Sequence, residues 1–173
     1  MVMFETAIPD CTVRSWVQTD VPALVRHAND RDVWLNLRDR FPHPYGRADA
    51  ETWIACASDQ ERQRNFAIAF KDIATGGIGL EPQHDVHRMS AEIGYWLGRS
   101  YWGQGLATAA VTAVTSYGFT TLGLCRIYAT VFEHNAASCR VLEKCGYQYE
   151  GRLRKSVIKA GRTLDQLLYA RVE

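Results

Sequence analysis

Glu92-Ile93-Gly94-Tyr95-Trp96-Leu97-Gly98-Arg99-Ser100-Tyr101-Trp102-Gly103-Gln104-Gly105-Leu106-Ala107-Thr108 is the stretch that decides the fold. Its start belongs to a run from Ser90 to Leu97 whose isoleucine, tyrosine and tryptophan predict a strand. Beyond the turn, Leu106, Ala110, Ala113, Val114 and Tyr117 recur at helical spacing, so residues 106–121 read as a helix. Alanine and valine lie on nearly every side of it, which predicts deep packing against a sheet. Between strand and helix, Gly103 and Gly105 let backbone N–H groups approach a ligand closely, and the helix start adds partial positive charge. That combination suits a phosphate, although a tight turn that uses glycine only for its freedom has the same spacing. Two common phosphate motifs do not fit. A dinucleotide fingerprint needs glycine or alanine where Thr108 stands, and a P-loop needs Gly-Lys-Ser/Thr.

Working outward, residues 126–132 alternate Ile127, Ala129 and Val131 against Tyr128, Thr130 and Phe132, as a strand does. Asn135 then caps a short helix through Lys144, which Gly146 ends. Two strands, 147–157 and 163–172, close the chain around a turn at Gly161. Towards the N-terminus, residues 12–16 read as a short strand, and Asp20 caps a helix with Pro22 in its first turn. Residues 32–40 read as helix, ended by Pro42 and Pro44. Residues 49–62 form a third helix with Trp53, Ile54 and Ala57 on one face. Residues 65–70 form a strand, 72–76 a turn and 77–81 the returning strand. The sum is one mixed α/β domain over residues 1–173, with hairpins at both ends of a central strand–helix–strand unit.

The 173 residues, 47% apolar and 23% charged, suit a single domain with a sizeable core. Balanced charge, 20 basic against 19 acidic residues, disfavours disorder and gives no global reason to expect nucleic acid or a membrane as partner. Locally, residues 139–162 hold seven basic residues against two acids, which leaves the remainder at −4. A polyanionic small molecule near that basic cluster is worth considering; a solvated strand edge is the plain alternative. No apolar run approaches a membrane span, and no basic-then-apolar start marks a signal peptide. Five cysteines without C-x-x-C spacing read as reduced and mostly buried thiols, so a cytoplasmic setting is expected. His84 and His87 lack further ligands at zinc spacing, and no metal is expected.

The run from Glu92 to Leu97, followed by Tyr101-Trp102-Gly103-Gln104-Gly105-Leu106-Ala107-Thr108, resembles the acetyl-CoA motif of the GNAT N-acetyltransferase superfamily. Its RimJ/RimL-like branch is the most similar. A second run, Asn135-Ala136-Ala137-Ser138, then Glu143-Lys144-Cys145-Gly146-Tyr147 and Glu150-Gly151-Arg152-Leu153-Arg154, resembles the same branch. The likeness extends from Val13-Arg14-Ser15-Trp16 to Tyr169-Ala170-Arg171. Trp102 departs from the superfamily's cation at the first motif position, which removes side-chain help to a pyrophosphate and leaves the backbone cradle.

The resemblance implies a mostly antiparallel sheet of about seven strands and transfer of acetyl from acetyl-CoA to a primary amine. It implies that the strand 92–97 splays from its neighbour at a bulge and offers free backbone groups, including those of Trp96 and Leu97, to pantetheine. Trp102, Gly103, Gln104, Gly105, Leu106, Ala107 and Thr108 would hold the pyrophosphate, with Asn135 and Ser138 also near the cofactor. Glu92 is the candidate base, its alternative an exposed carboxylate in a solvated ion pair. Ser138 is the candidate proton donor to the thiolate, its alternative a capping role. Glu133 is a weaker base, and Tyr128 reads more readily as packing. Trp34, Arg38 and Phe41 would line the acceptor wall, although Trp34 also reads as core. No histidine is tied to Cys139 or Cys145, which points to direct attack rather than an acyl-enzyme. A homodimer is left open. A CoA-sensing module that has lost catalysis is the alternative to an enzyme, and an RNA-binding accessory role lacks any recognition signature.

Overall fold

In the computed structural model, residues 3–58 and 64–173 are described. Eight strands form one sheet: β1 (Met3–Glu5), β2 (Cys11–Arg14), β3 (Asn65–Phe70), β4 (Ile73–Pro82), β5 (Ser90–Leu97), β6 (Arg126–Phe132), β7 (Gln148–Lys159) and β8 (Arg162–Val172). Their order is β1-β2-β3-β4-β5-β6-β8-β7. Every neighbouring pair is antiparallel except β5 and β6, which the crossover helix α4 (Leu106–Thr120) joins in parallel. Among the described residues there are four further α-helices: α1 (Val21–Ala28), α2 (Arg31–Trp34), α3 (Arg47–Ser58) and α5 (Ala136–Lys144). The mixed α/β class, both hairpins and the central β5–α4–β6 unit are therefore as read. The eighth strand is β1, whose three residues are too few to show an alternating pattern.

The sheet is covered on both faces. On one, Leu106, Val111 and Val114 of α4 pack with Phe66, Ile68, Ile93 and Ile127. On the other, Leu24 of α1 and Ile54 of α3 meet Trp16, Ala67 and Ala74. This is why 66–69 of β3 are all fully buried, whatever their parity: a strand sandwiched between helices has no wet side.

Several local expectations fail for identifiable reasons. The helix expected over 32–40 is only the four residues of α2. Asp30 caps it by accepting from the N–H groups of Asp32 and Val33, but the next three charged side chains each leave for a distant partner. Arg38 reaches Glu92, Asp39 reaches Lys159 and Arg40 reaches Glu81, and these contacts draw the chain out of the helix. Asp20 precedes α1 without capping it. Its carboxylate is taken by a two-pronged bond from Arg14 (2.7 and 2.8 Å) and by the Val17 N–H. The β3–β4 turn lies at Lys71 and Asp72, both at positive φ, so β4 already begins at Ile73 rather than after 76. In α3, Ile54 and Ala57 are buried but Trp53 is exposed. The expected end of that helix at 59–62 lies outside the described residues.

Candidate active site

β5 pairs with β6 only at Ser90↔Arg126, Ala91↔Ile127 and Glu92↔Tyr128. Past Glu92 the strands part, because each follows its other neighbour: β4 stays paired with β5 to Leu97, and β8 with β6 to Phe132. The facing edges of residues 93–97 and 129–132 are thereby left without a strand partner across the gap. Such edges present backbone donors and acceptors to an extended ligand. No bulge is needed. The β4–β5 register runs unbroken from Pro82↔Ala91 to Gly76↔Leu97, which corrects the expectation of a bulge in β5.

The glycine turn lies at the end of β5. Gly103 and Gly105 take φ of +75° and +80°, a region a side chain resists, and Gly105 is the residue before α4. Leu106, at 1% exposure, seats the helix start in the core. No side chain caps α4 and no acid stands in its first turn, so the N–H groups of Leu106, Ala107 and Thr108 face a positive helix end with no intrahelical acceptor. A Cβ at Gly103 would meet nothing within 4 Å, so the turn is open on that side. Trp102 and Gln104 shape the loop. The Trp102 indole donates to the Leu97 carbonyl (2.9 Å), and the Gln104 amide to the Ser100 carbonyl (2.9 Å).

Across the gap, α5 begins at the end of β6. The Asn135 carboxamide accepts from the Ser138 N–H (3.1 Å), so the cap is Asn135, and the Ser138 hydroxyl is not used in it. That hydroxyl lies 2.7 Å from the Tyr95 phenol, with either able to donate. Burial pushes the Tyr95 phenol well above its ordinary value, against the opposing pull of Ser138, so it stays protonated. Tyr95 has no role in the sequence reading. Its signal was parity: Tyr95 shares a strand face with Ile93 and Leu97, which points it at the α4–α5 layer. Asn135→Ala is expected to cost about 1 kcal/mol of stability, a fall of about 2–4 °C in melting temperature. Ser138→Ala keeps the cap and should melt near the wild type, which thermal denaturation of the two variants checks.

The other face of β5 carries Glu92, Gly94 and Trp96. Glu92 is not a solvated edge carboxylate: its side chain is 14% exposed. Its Oε1 accepts from Arg38 (2.5 Å) and from the Thr130 hydroxyl (2.7 Å). Both bonds fall on Oε1, which leaves Oε2 for an incoming group. Glu81, opposite Glu92 in register, is held by Arg40, whose hydrogen bonds keep its carboxyl below the ordinary range. Gly94 leaves the adjoining floor open, since a Cβ there would meet nothing within 4 Å. Phe41 packs on Trp96 (5.4 Å between ring centroids) and on Tyr45 (5.0 Å). Trp34 stacks on His43 and carries the Lys159 ammonium over its ring at 3.7 Å, so it is packed as wall rather than held out to a ligand.

Tyr128 stands opposite Glu92 in the β5–β6 register, whereas Glu133 and the basic cluster are engaged elsewhere. Glu133 is paired with Arg152 and accepts from the Asp165 N–H, which makes it a brace for the β7–β8 hairpin. The basic cluster is partly neutralised: Arg152 also binds Asp165, and Lys159 is buried against Asp39 instead of facing solvent. Cys139 and Cys145 are buried, and burial pushes the Cys145 thiol up. Among the described residues, no three His, Cys, Asp or Glu side chains are grouped to hold a metal ion, and no helix is long and apolar enough to cross a membrane.

Known proteins are similar to this chain in sequence and in fold. The acetyltransferase (GNAT) domain family matches residues 10–148. The uncharacterized N-acetyltransferase p20 of Bacillus licheniformis is 32% identical over 165 residues, covering 92% of this chain and 90% of that protein. Spermidine N(1)-acetyltransferase of Escherichia coli (strain K12) is 32% identical over 93 residues, covering 54% of this chain and 50% of that one. Among solved structures, Mycobacterium smegmatis RimJ in complex with CoA-disulfide is similar at a TM-score of 0.83 and 26% identity, covering 94% of this chain and 81% of that one.

Proposed function

The chain belongs to the GNAT acetyltransferase family, and from that premise we propose that it moves acetyl from acetyl-CoA to a primary amine in a ternary complex. The acceptor is a protein N-terminal α-amine or a small-molecule amine. One observation carries this reading: the gap between β5 and β6 has the amide-rich turn at one end, Ser138 on one face and Glu92 on the other. Acetyl-CoA supplies an activated thioester. The turn from Gly103 to Thr108 would hold its pyrophosphate, and the unpaired edge of β5, at Trp96 and Leu97, its pantetheine. The open side at Gly103 fits that assignment.

Each chemical step then has a residue. Glu92 takes a proton from the acceptor ammonium through Oε2, directly or by one water, since Arg38 and Thr130 fix its other oxygen. A free N–H on the β5 edge stabilises the charge that develops on the carbonyl oxygen. Ser138 passes to the departing thiolate the proton that the attacking nitrogen loses, and the Tyr95 phenol orients that hydroxyl. Most of the acceleration comes from holding amine and thioester together.

The buried Cys139 and Cys145 take no covalent part in this scheme. Initial-rate kinetics should give intersecting double-reciprocal lines, and labelled acetyl-CoA alone should leave no label on the protein. A cysteine acetylated in stoichiometric amount, and passing its acetyl to an added amine, would overturn the direct route. CoA release against a panel of peptides with free N-termini, polyamines and aminoglycosides identifies the acceptor. Release with none of them would favour the CoA-sensing alternative.

A further inference from the structure

We propose that Lys159 is a positioning residue for the amine acceptor, its ammonium holding the chain segment that carries Arg38 over Glu92. The inference rests on the acetyltransferase reading above. Lys159 ends β7, next to the tight turn at Ala160 and Gly161. Its side chain is 2% exposed, and its Nζ lies 2.7 Å from Asp39 Oδ1 and 3.7 Å from the centre of the Trp34 ring. A lysine ammonium is costly to bury, so both of its partners matter to why it is there. Neither partner belongs to the hairpin. Both lie on the acceptor wall, 120 residues away for Asp39.

That wall is the part of the molecule most in need of an anchor. Residues 35–46 form no helix or strand, so side-chain contacts rather than a backbone ladder must place them. Trp34, the last residue of α2, immediately precedes the segment, and Phe41 within it packs on Trp96. Asp39 is the chain neighbour of Arg38, and Arg38 donates to Glu92 at 2.5 Å. A shift of Asp39 therefore moves Arg38 with it, and Arg38 fixes which carboxylate oxygen of Glu92 is free. Displacements of about 1 Å at a reacting centre can cost about 100-fold in rate, so a distant cation can govern the site without touching substrate. The β7–β8 hairpin and the 35–46 segment, joined by this contact, define one side of the acceptor entrance.

Three variants test it, with the amine the wild type turns over fastest among spermidine and peptides with free N-termini. Lys159→Met keeps the buried stem and removes the charge, Lys159→Arg keeps a cation, and Asp39→Ala removes a side chain that is 71% exposed. Lys159→Met and Asp39→Ala are expected to lower kcat/KM for the acceptor by about tenfold, leave the acetyl-CoA KM within about twofold, and speed amide exchange across 35–46. Lys159→Arg should recover part of the acceptor kcat/KM. A merely structural lysine would show otherwise: the acetyl-CoA KM and the melting temperature would move together with the acceptor kcat/KM, or exchange would speed up with the acceptor kcat/KM unchanged. Either result overturns the inference. Should Lys159→Met not fold, Asp39→Ala decides alone, because its exposed carboxylate is not part of the core. A wild type that acetylates no amine overturns the acetyltransferase reading and this inference together, whereas an active wild type matched by its variants overturns this inference alone.

Discussion

Gly105→Val is expected to reduce acetyl-CoA affinity by about 100-fold or more while the protein remains folded. Gly105 sits at φ +80° immediately before α4, and a β-branched residue cannot hold that conformation without strain. The added Cβ would also lie 3.3 Å from Ile8 Cδ1, a contact that this methyl relieves by a small movement, so it is the backbone strain that shifts the turn. Any shift re-aims the first-turn N–H groups of Leu106 to Thr108. Hydrogen bonds to a charged group contribute about 1.5 kcal/mol each at the low end, so losing two corresponds to about 100-fold in affinity. Gly103→Ala is the informative companion. Its Cβ meets no protein atom within 4 Å, so beyond the strain of alanine at φ +75° what it adds is an obstacle to a ligand. Titration calorimetry with acetyl-CoA, with melting temperatures measured alongside, checks both. Wild-type affinity in a folded Gly105→Val protein would remove the turn from the cofactor site.

What the sequence disclosed about this site follows from how local each feature is. The strand 90–97, the glycine turn, the helix from Leu106 and the Asn135 cap are all written in spacing within about fifteen residues, and all four stand in the structure. Glycine at 103 and 105 was legible because its reason is backbone conformation, which one residue type serves best. Features that depend on distant partners were not. The α2 segment has the composition of a longer helix, but Arg38, Asp39 and Arg40 are bound to Glu92, Lys159 and Glu81, and no local pattern encodes those pairings. Lys159 looked like one of the seven cations of residues 139–162, because burial of a charge shows only when its partner is in view. Tyr95 was half legible: parity fixes the face it occupies, but the hydroxyl 2.7 Å away on α5 comes from the crossover. The splay itself is a property of sheet order. It exists because β5 and β6 each have a full-length neighbour on the far side, and that is a fact about β4 and β8.

Glu92→Gln is expected to lower turnover by about 100-fold near neutral pH with acetyl-CoA affinity unchanged. Glutamine matches glutamate in shape, and its carbonyl oxygen can still accept from Arg38 and the Thr130 hydroxyl. The acceptor wall should therefore stay in place, and the loss should report the missing base rather than a collapsed cleft. Oε2 is the atom at issue. In the wild type it is free of the two bonds that fix Oε1, and the amide nitrogen that replaces it donates where a proton must be accepted. The pH profile separates this role from packing. An amine that arrives as its ammonium needs a base, whereas one that is already neutral does not. The deficit of Glu92→Gln should accordingly shrink as pH rises towards the acceptor's own ionisation, and the variant's profile should climb where the wild type's has levelled. A deficit that is constant with pH would assign Glu92 to holding Arg38 rather than to proton transfer. Equal turnover and superimposable pH profiles for the two proteins would exclude Glu92 from the reaction and leave a water on the β5 edge as the base.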